Sequence, residues 1–119
     1  MTQTTALETA IAFTTAWTSH DIQSASDFVA DDVVFDGPMQ KSIGARDYID
    51  GLRRLSRDVT GFRMIAAFGD ADQALLMYDL LTDKFGVLTC AKHLTISGGK
   101  IVRDQLTFDS YRIRSGGSD

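Results

Sequence analysis

The chain has 119 residues, 44% of them hydrophobic, which is enough apolar material for one core and too little length for two domains. Its 12 basic and 16 acidic side chains leave a net charge of −4 with no basic aromatic cluster, which argues against a nucleic-acid partner. Cys90 is the single cysteine, so no intrachain disulfide can form.

The opening MTQTTALE lacks the basic and apolar segments of a signal peptide, and no apolar run reaches membrane-spanning length. A soluble, cytoplasmic protein with no membrane contact is expected. Thr5-Ala6-Leu7-Glu8 fits a helix-starting capping box, and Leu7, Ala10, Ile11, Phe13, Thr14 and Trp17 then recur at helical spacing. That helix should end near Ser19-His20, where His20 can cap the last carbonyls. Asp21 can cap a short second helix burying Ile22, Ala25, Phe28 and Val29. Val33 to Asp36 reads as a short strand stopped by Gly37-Pro38, because proline has no amide for a continuing ladder.

Gly44 opens a third helix with Ala45, Tyr48, Ile49, Leu52 and Leu55 on one side, and Asp50 and Arg54 are spaced for a solvated ion pair. Phe62 to Phe68 and Ala74 to Thr82 read as strands around a Gly69-Asp70-Ala71-Asp72 turn. The second of these, ALLMYDLLT, is apolar on both faces, as expected where a sheet is covered on both sides, and a second subunit is the simplest outer cover. Phe85 to Tyr111 then forms a long hairpin about Ser97-Gly98-Gly99. Beyond it the RIRSGGSD segment is polar and glycine-rich, so one domain over residues 1–114 and a loose tail over 115–119 are expected.

Alternation along the hairpin puts Leu88, Cys90, Lys92, Leu94 and Ile96 on one face of the first strand and Val102, Asp104, Leu106 and Phe108 on one face of the second. Each greasy face is interrupted by one charge. A three-residue turn pairs Ile96 with Lys100, Leu94 with Val102 and Lys92 with Asp104, so that both apolar faces coincide and the two charges meet. A two-residue turn on Gly98-Gly99 sets Leu94 against Arg103 and mixes the faces. The first register is the expected one.

AWTSHDIQSASDFVADDVVFDGPM, GARDYIDGL and KHLTISGGKIVRDQLTFD resemble the nuclear transport factor 2-like superfamily, in particular its SnoaL-like branch. The resemblance implies an α+β, cone-shaped fold in which three N-terminal helices pack on a strongly curved antiparallel sheet, with an apolar pocket between helices and sheet and frequent homodimerisation. Relatives include ketosteroid isomerases, polyketide cyclases, limonene epoxide hydrolases and scytalone dehydratases, beside members with no catalytic role. Against the isomerase pattern, the general-base aspartate falls on Gly37, the oxyanion-hole tyrosine on Phe13 and its partner aspartate on Lys92. Steroid isomerisation by that route is therefore not expected. The cyclase branch takes its acid-base carboxylate from the last strand, where Asp104 lies.

Asp104 can then act as general base with Lys92 steadying a developing oxyanion, or the two can be a buried ion pair that only completes the wall. Trp17, Phe13, Phe28, Tyr48, Leu106 and Phe108 are the residues expected to line a cavity for a small apolar ligand, although helical spacing suits core filling equally. Asp79 is a third possible pocket charge, its face undecided, with an exposed or interfacial place the expectation. His93 alternates away from the apolar face, toward the surface or a dimer contact, and Asp36 suits the turn or the pocket rim. Two separated histidines and one cysteine point to no metal, and no cofactor motif is present. The expected function is cofactor-independent isomerase, cyclase or hydrolase chemistry on a small hydrophobic carbonyl, polyketide-like or epoxide ligand. The alternative is a ligand-binding or dimerisation module of the same fold.

Overall fold

The computed structural model describes residues 5–109. Tyr111, the domain end at 114 and the tail over 115–119 lie outside the described residues. The elements run α1 (Ala6–Thr18), α2 (Ile22–Ser26), β1 (Val29–Asp36), β2 (Lys41–Ile43), α3 (Ala45–Ser56), β3 (Val59–Gly69), β4 (Gln73–Thr82), β5 (Gly86–Ser97) and β6 (Lys100–Phe108). One six-stranded curved sheet results, in the order β2-β1-β6-β5-β4-β3. Among the described residues no helix is long and apolar enough to cross a membrane.

Thr5 caps α1 as expected, its hydroxyl oxygen accepting from the Glu8 amide at 3.0 Å. Helix α1 ends with His20 at φ 69° and its amide donating to the Trp17 carbonyl, while the side-chain cap comes from Ser19, whose hydroxyl donates to the Thr15 carbonyl at 2.6 Å, rather than from the His20 ring. Asp21 caps α2 through the Ser24 amide, but the helix stops at Ser26 and Val29 already begins β1, four residues before the expected strand start. Val29 and Val33, four residues apart, are the buried residues of this stretch, a helical spacing, and it is the pairing of Val29 with Ile101 across an irregular ladder that makes it a strand. Gly44, at φ 103°, turns the chain from β2 into α3. On α3 it is Arg53, not Arg54, that pairs with Asp50, at 3.1 Å, while Arg54 reaches Gln40.

The sheet is mixed rather than purely antiparallel, because β1 runs parallel to β6. The hairpin also departs from the expected register. Its turn is the two-residue Gly98-Gly99, both at positive φ, pairing Ser97 with Lys100 and Ile96 with Ile101. Val102 is then an extra residue, a bulge that moves the ladder so that Thr95 faces Arg103, Leu94 faces Asp104 and Lys92 faces Leu106. The bulge restores what the short turn alone would have lost: Ile101, Asp104, Leu106 and Phe108 share the face of Leu94 and Lys92. Lys92 and Asp104 are therefore diagonal neighbours rather than a directly opposed pair. Further irregularities in β3, at Thr60 and Ile65, add to the bending of the sheet.

The core lies between the inner sheet face and the helices. Ala6, Ala10, Phe13 and Trp17 of α1 and Tyr48 and Leu52 of α3 are buried with Leu76, Tyr78, Leu80, Leu88, Cys90 and Leu94 of the sheet. The opposite face also carries apolar side chains, among them the exposed Leu75 and Met77 of β4.

Candidate functional site

Three polar side chains from three elements meet in this apolar layer. Lys92 on β5 and Asp104 on β6 are both buried, and the ammonium lies 3.0 Å from Asp104 Oδ2. Tyr48, carried in by α3, donates its hydroxyl hydrogen to the same Oδ2. The other carboxylate oxygen, Oδ1, is buried and has no hydrogen-bond partner among the described residues. The Lys92 ammonium also lies over two aromatic faces of α1, 5.3 Å from the Phe13 ring centre and 5.6 Å from that of Trp17. Phe13 stacks on Tyr48 at 6.0 Å, and Phe35 of β1 leans on the same ring at 5.4 Å, which fixes the phenol in place. Burial, and next the Asp104 charge, pushes the Tyr48 hydroxyl well above the ordinary phenol range, so Tyr48 stays protonated and donating.

Beside this cluster is a cavity of about 280 Å³, near the lower end of the range of small-molecule sites at about 300–1,000 Å³. Its wall includes Trp17, Tyr48, Tyr78, Cys90, Lys92, Leu106 and Phe108, and its mouth the Gly37-Pro38-Met39-Gln40 loop with Arg54 and Asp58. Four of the six expected lining residues, Trp17, Tyr48, Leu106 and Phe108, are thus on the wall. Phe13 and Phe28 are not: Phe13 lies behind Tyr48 and Lys92 as their packing partner, and Phe28 sits at the α2–β1 junction. Asp104 does not border the cavity either. It stands behind Tyr48 and Lys92, which do.

The remaining charges go elsewhere. Asp79 pairs with Thr89 across β4 and β5 on the opposite sheet face, accepting from the Thr89 hydroxyl at 2.6 Å and from Arg63 at 2.7 Å. Those two bonds, the Thr89 one foremost, hold its carboxyl below the ordinary range. It is no pocket charge, and it is buried rather than exposed. His93 lies on that same outer face, as its alternation implied, with its ring nitrogens 2.8 Å from Gln73 Oε1 and 3.2 Å from Gln105 Oε1. Asp36 pairs with Lys41 at the β1–β2 turn. Cys90 is on the cavity wall, its thiol pushed up to about 11, mainly by burial, which makes it a poor nucleophile near neutrality. Among the described residues no cluster of three or more His, Cys, Asp or Glu could hold a metal ion.

Sequence reasoning placed Tyr48 on the ligand side but missed its bond to Asp104, and it missed Phe35 and Tyr78 altogether. The signal available was the position of Tyr48 on the apolar stripe of α3, where a buried phenol needs an acceptor.

The chain is a member of the SnoaL-like domain family, whose sequence profile matches residues 10–104. Among solved structures, a protein from Kribbella flavida DSM 17836 is similar over 96% of this chain and 94% of its own, with 35% identity and a TM-score of 0.91. An NTF2-like protein of unknown function from Cytophaga hutchinsonii has 18% identity and a TM-score of 0.80 over 95% of this chain and 97% of its own. An LEH-like epoxide hydrolase of M. tuberculosis has 20% identity and a TM-score of 0.76 over 93% and 87% respectively, a likeness of fold. No curated protein matches the chain.

The stability of the pair can be tested directly. Asp104→Asn leaves the Lys92 ammonium uncompensated in apolar surroundings, and urea unfolding should show a loss of about 3 kcal/mol. Lys92→Met combined with Asp104→Asn removes the charge while leaving an amide oxygen for the Tyr48 hydroxyl, and should recover most of that loss. A single variant as stable as the parent would show that the two charges are not energetically coupled.

Proposed function

We propose that this protein is a cofactor-independent acid-base enzyme that moves a proton on a small apolar carbonyl compound. The observation that carries the reading is the Lys92–Asp104–Tyr48 cluster set into the wall of an otherwise apolar cavity. A structural ion pair can take a phenol as its second donor but requires no adjoining cavity. Here a phenol bridges the carboxylate to the cavity.

The chemistry follows from which groups border the ligand. Tyr48 and Lys92 reach the cavity, whereas Asp104 acts through them. A ligand bound with its carbonyl oxygen toward Lys92 places the ammonium where negative charge develops. The proton on the carbon next to the carbonyl passes to the Tyr48 oxygen as the Tyr48 proton passes to Asp104 Oδ2. The electron pair of the C–H bond becomes the carbon–carbon double bond of an enolate, and the carbonyl π pair moves to the oxygen facing Lys92. Return of the proton to another carbon completes an isomerisation, and attack of the enolate carbon on a second carbonyl completes a cyclisation. Desolvation by the surrounding aromatics strengthens both the ammonium–oxyanion and phenol–carboxylate contacts.

The reading is tested by incorporation of solvent deuterium next to the carbonyl of small apolar ketones, followed by NMR. Tyr48→Phe keeps the ring packing and removes the relay, so exchange should fall by at least about 100-fold, the usual weight of a positioned acid or base. Exchange at the parent rate in Tyr48→Phe, or none above background in the parent protein, contradicts it.

The outer sheet face supports a second-copy contact. Phe68, Leu75 and Val87 are 69%, 54% and 52% exposed on β3, β4 and β5, with Ile65 and Met77 beside them. Such an exposed apolar area on a sheet is the mark of an association surface, and we propose that it closes a homodimer. Leu75→Lys with Phe68→Lys should convert the dimer to a folded monomer in light-scattering mass measurement. A parent protein that is already monomeric excludes the contact.

A further inference from the structure

The acid-base reading accounts for Lys92, Asp104 and Tyr48 and leaves the Trp17 indole on the cavity wall without a role. Trp17 is 1% exposed, and its indole Nε1–H has no hydrogen-bond acceptor among the described residues. Leaving such a donor unpaired costs about 1–3 kcal/mol. Phenylalanine would fill the same helix position without that cost. The ring borders the cavity, and the Lys92 ammonium lies against its face, 5.6 Å from its centre.

We infer that the Trp17 indole N–H and the Lys92 ammonium together form a two-donor site that recognises an oxygen on the ligand and so decides which apolar compounds bind. The inference rests on the acid-base reading for the ligand's location and deepens it by naming the chemistry of recognition. The two donors come from different elements, α1 and β5, so the oxygen is held across the cleft between helix and sheet. Two donors suit a carbonyl oxygen, whose two lone pairs accept two hydrogen bonds. A hydrocarbon of the same shape leaves the indole unpaired and offers the ammonium no partner beyond Asp104. Discrimination by a buried donor of this kind exceeds that from a methylene-sized change in fit. Trp17 is accordingly a specificity residue for the ligand's oxygen, while Tyr48 faces the carbon that exchanges its proton.

The sole tryptophan makes the test direct, because a nitrogen-15-labelled protein gives one indole cross-peak. The probes are 1-indanone and indane, which share a bicyclic frame and differ by the carbonyl. The indole proton should move downfield on adding 1-indanone and not on adding indane. Trp17→Phe should weaken 1-indanone about tenfold, the equivalent of one neutral hydrogen bond, and leave indane within about twofold. Equal indole shifts with both probes, equal weakening of both, or failure of 1-indanone to bind overturns the inference. Deuterium incorporation at the carbon next to the 1-indanone carbonyl separates the two claims. A downfield indole shift without exchange sustains the recognition site and removes the acid-base reading, whereas exchange with an unmoved indole does the reverse.

Discussion

An ammonium group buried under two aromatic rings sets the terms for the whole inner face of this sheet. Removed from water, the Lys92 charge requires a counter-charge within contact distance, and Asp104 is the one at 3.0 Å. A buried carboxylate in turn needs more than one donor, which Tyr48 supplies from the facing helix. Helix α3 therefore cannot slide or rotate on the sheet without breaking a buried hydrogen bond. The helix angle, the sheet register and the cavity beside them are tied to one carboxylate oxygen.

The bulge at Val102 is how the chain satisfies that requirement. Two positive-φ glycines make the tightest hairpin turn, and the tight turn alone would send Arg103 rather than Asp104 toward Leu94. One extra residue rotates the remainder of β6 by half a pleat period and delivers the carboxylate to the inner face. It also accentuates the local twist of the strand pair.

Much of this was legible in the chain. Glycine pairs, capping residues and alternation located most of the helices and strands, and the two charges interrupting apolar strands pointed to the cluster before any coordinate. Other features depended on contacts between distant residues. The parallel pairing of β1 with β6 has no local signal, because Val29 and Ile101 are far apart in sequence. The bulge was invisible, since Val102 looks as fit for the inner face as Ile101. Phe13 and Phe28 resembled lining residues because spacing reports which side of a helix is buried, not whether that side meets a neighbour or a void. For the same reason Asp104 read as a wall residue, although Tyr48 and Lys92 stand between it and the cavity.

The central claim is that Tyr48 and Asp104 form one proton path rather than two independent aids. A kinetic double-mutant cycle over Tyr48→Phe and Asp104→Asn, with ketone deuterium exchange measured per folded molecule, tests it most directly. One path predicts that the double variant exchanges no more slowly than the slower single variant. Losses that multiply would contradict it.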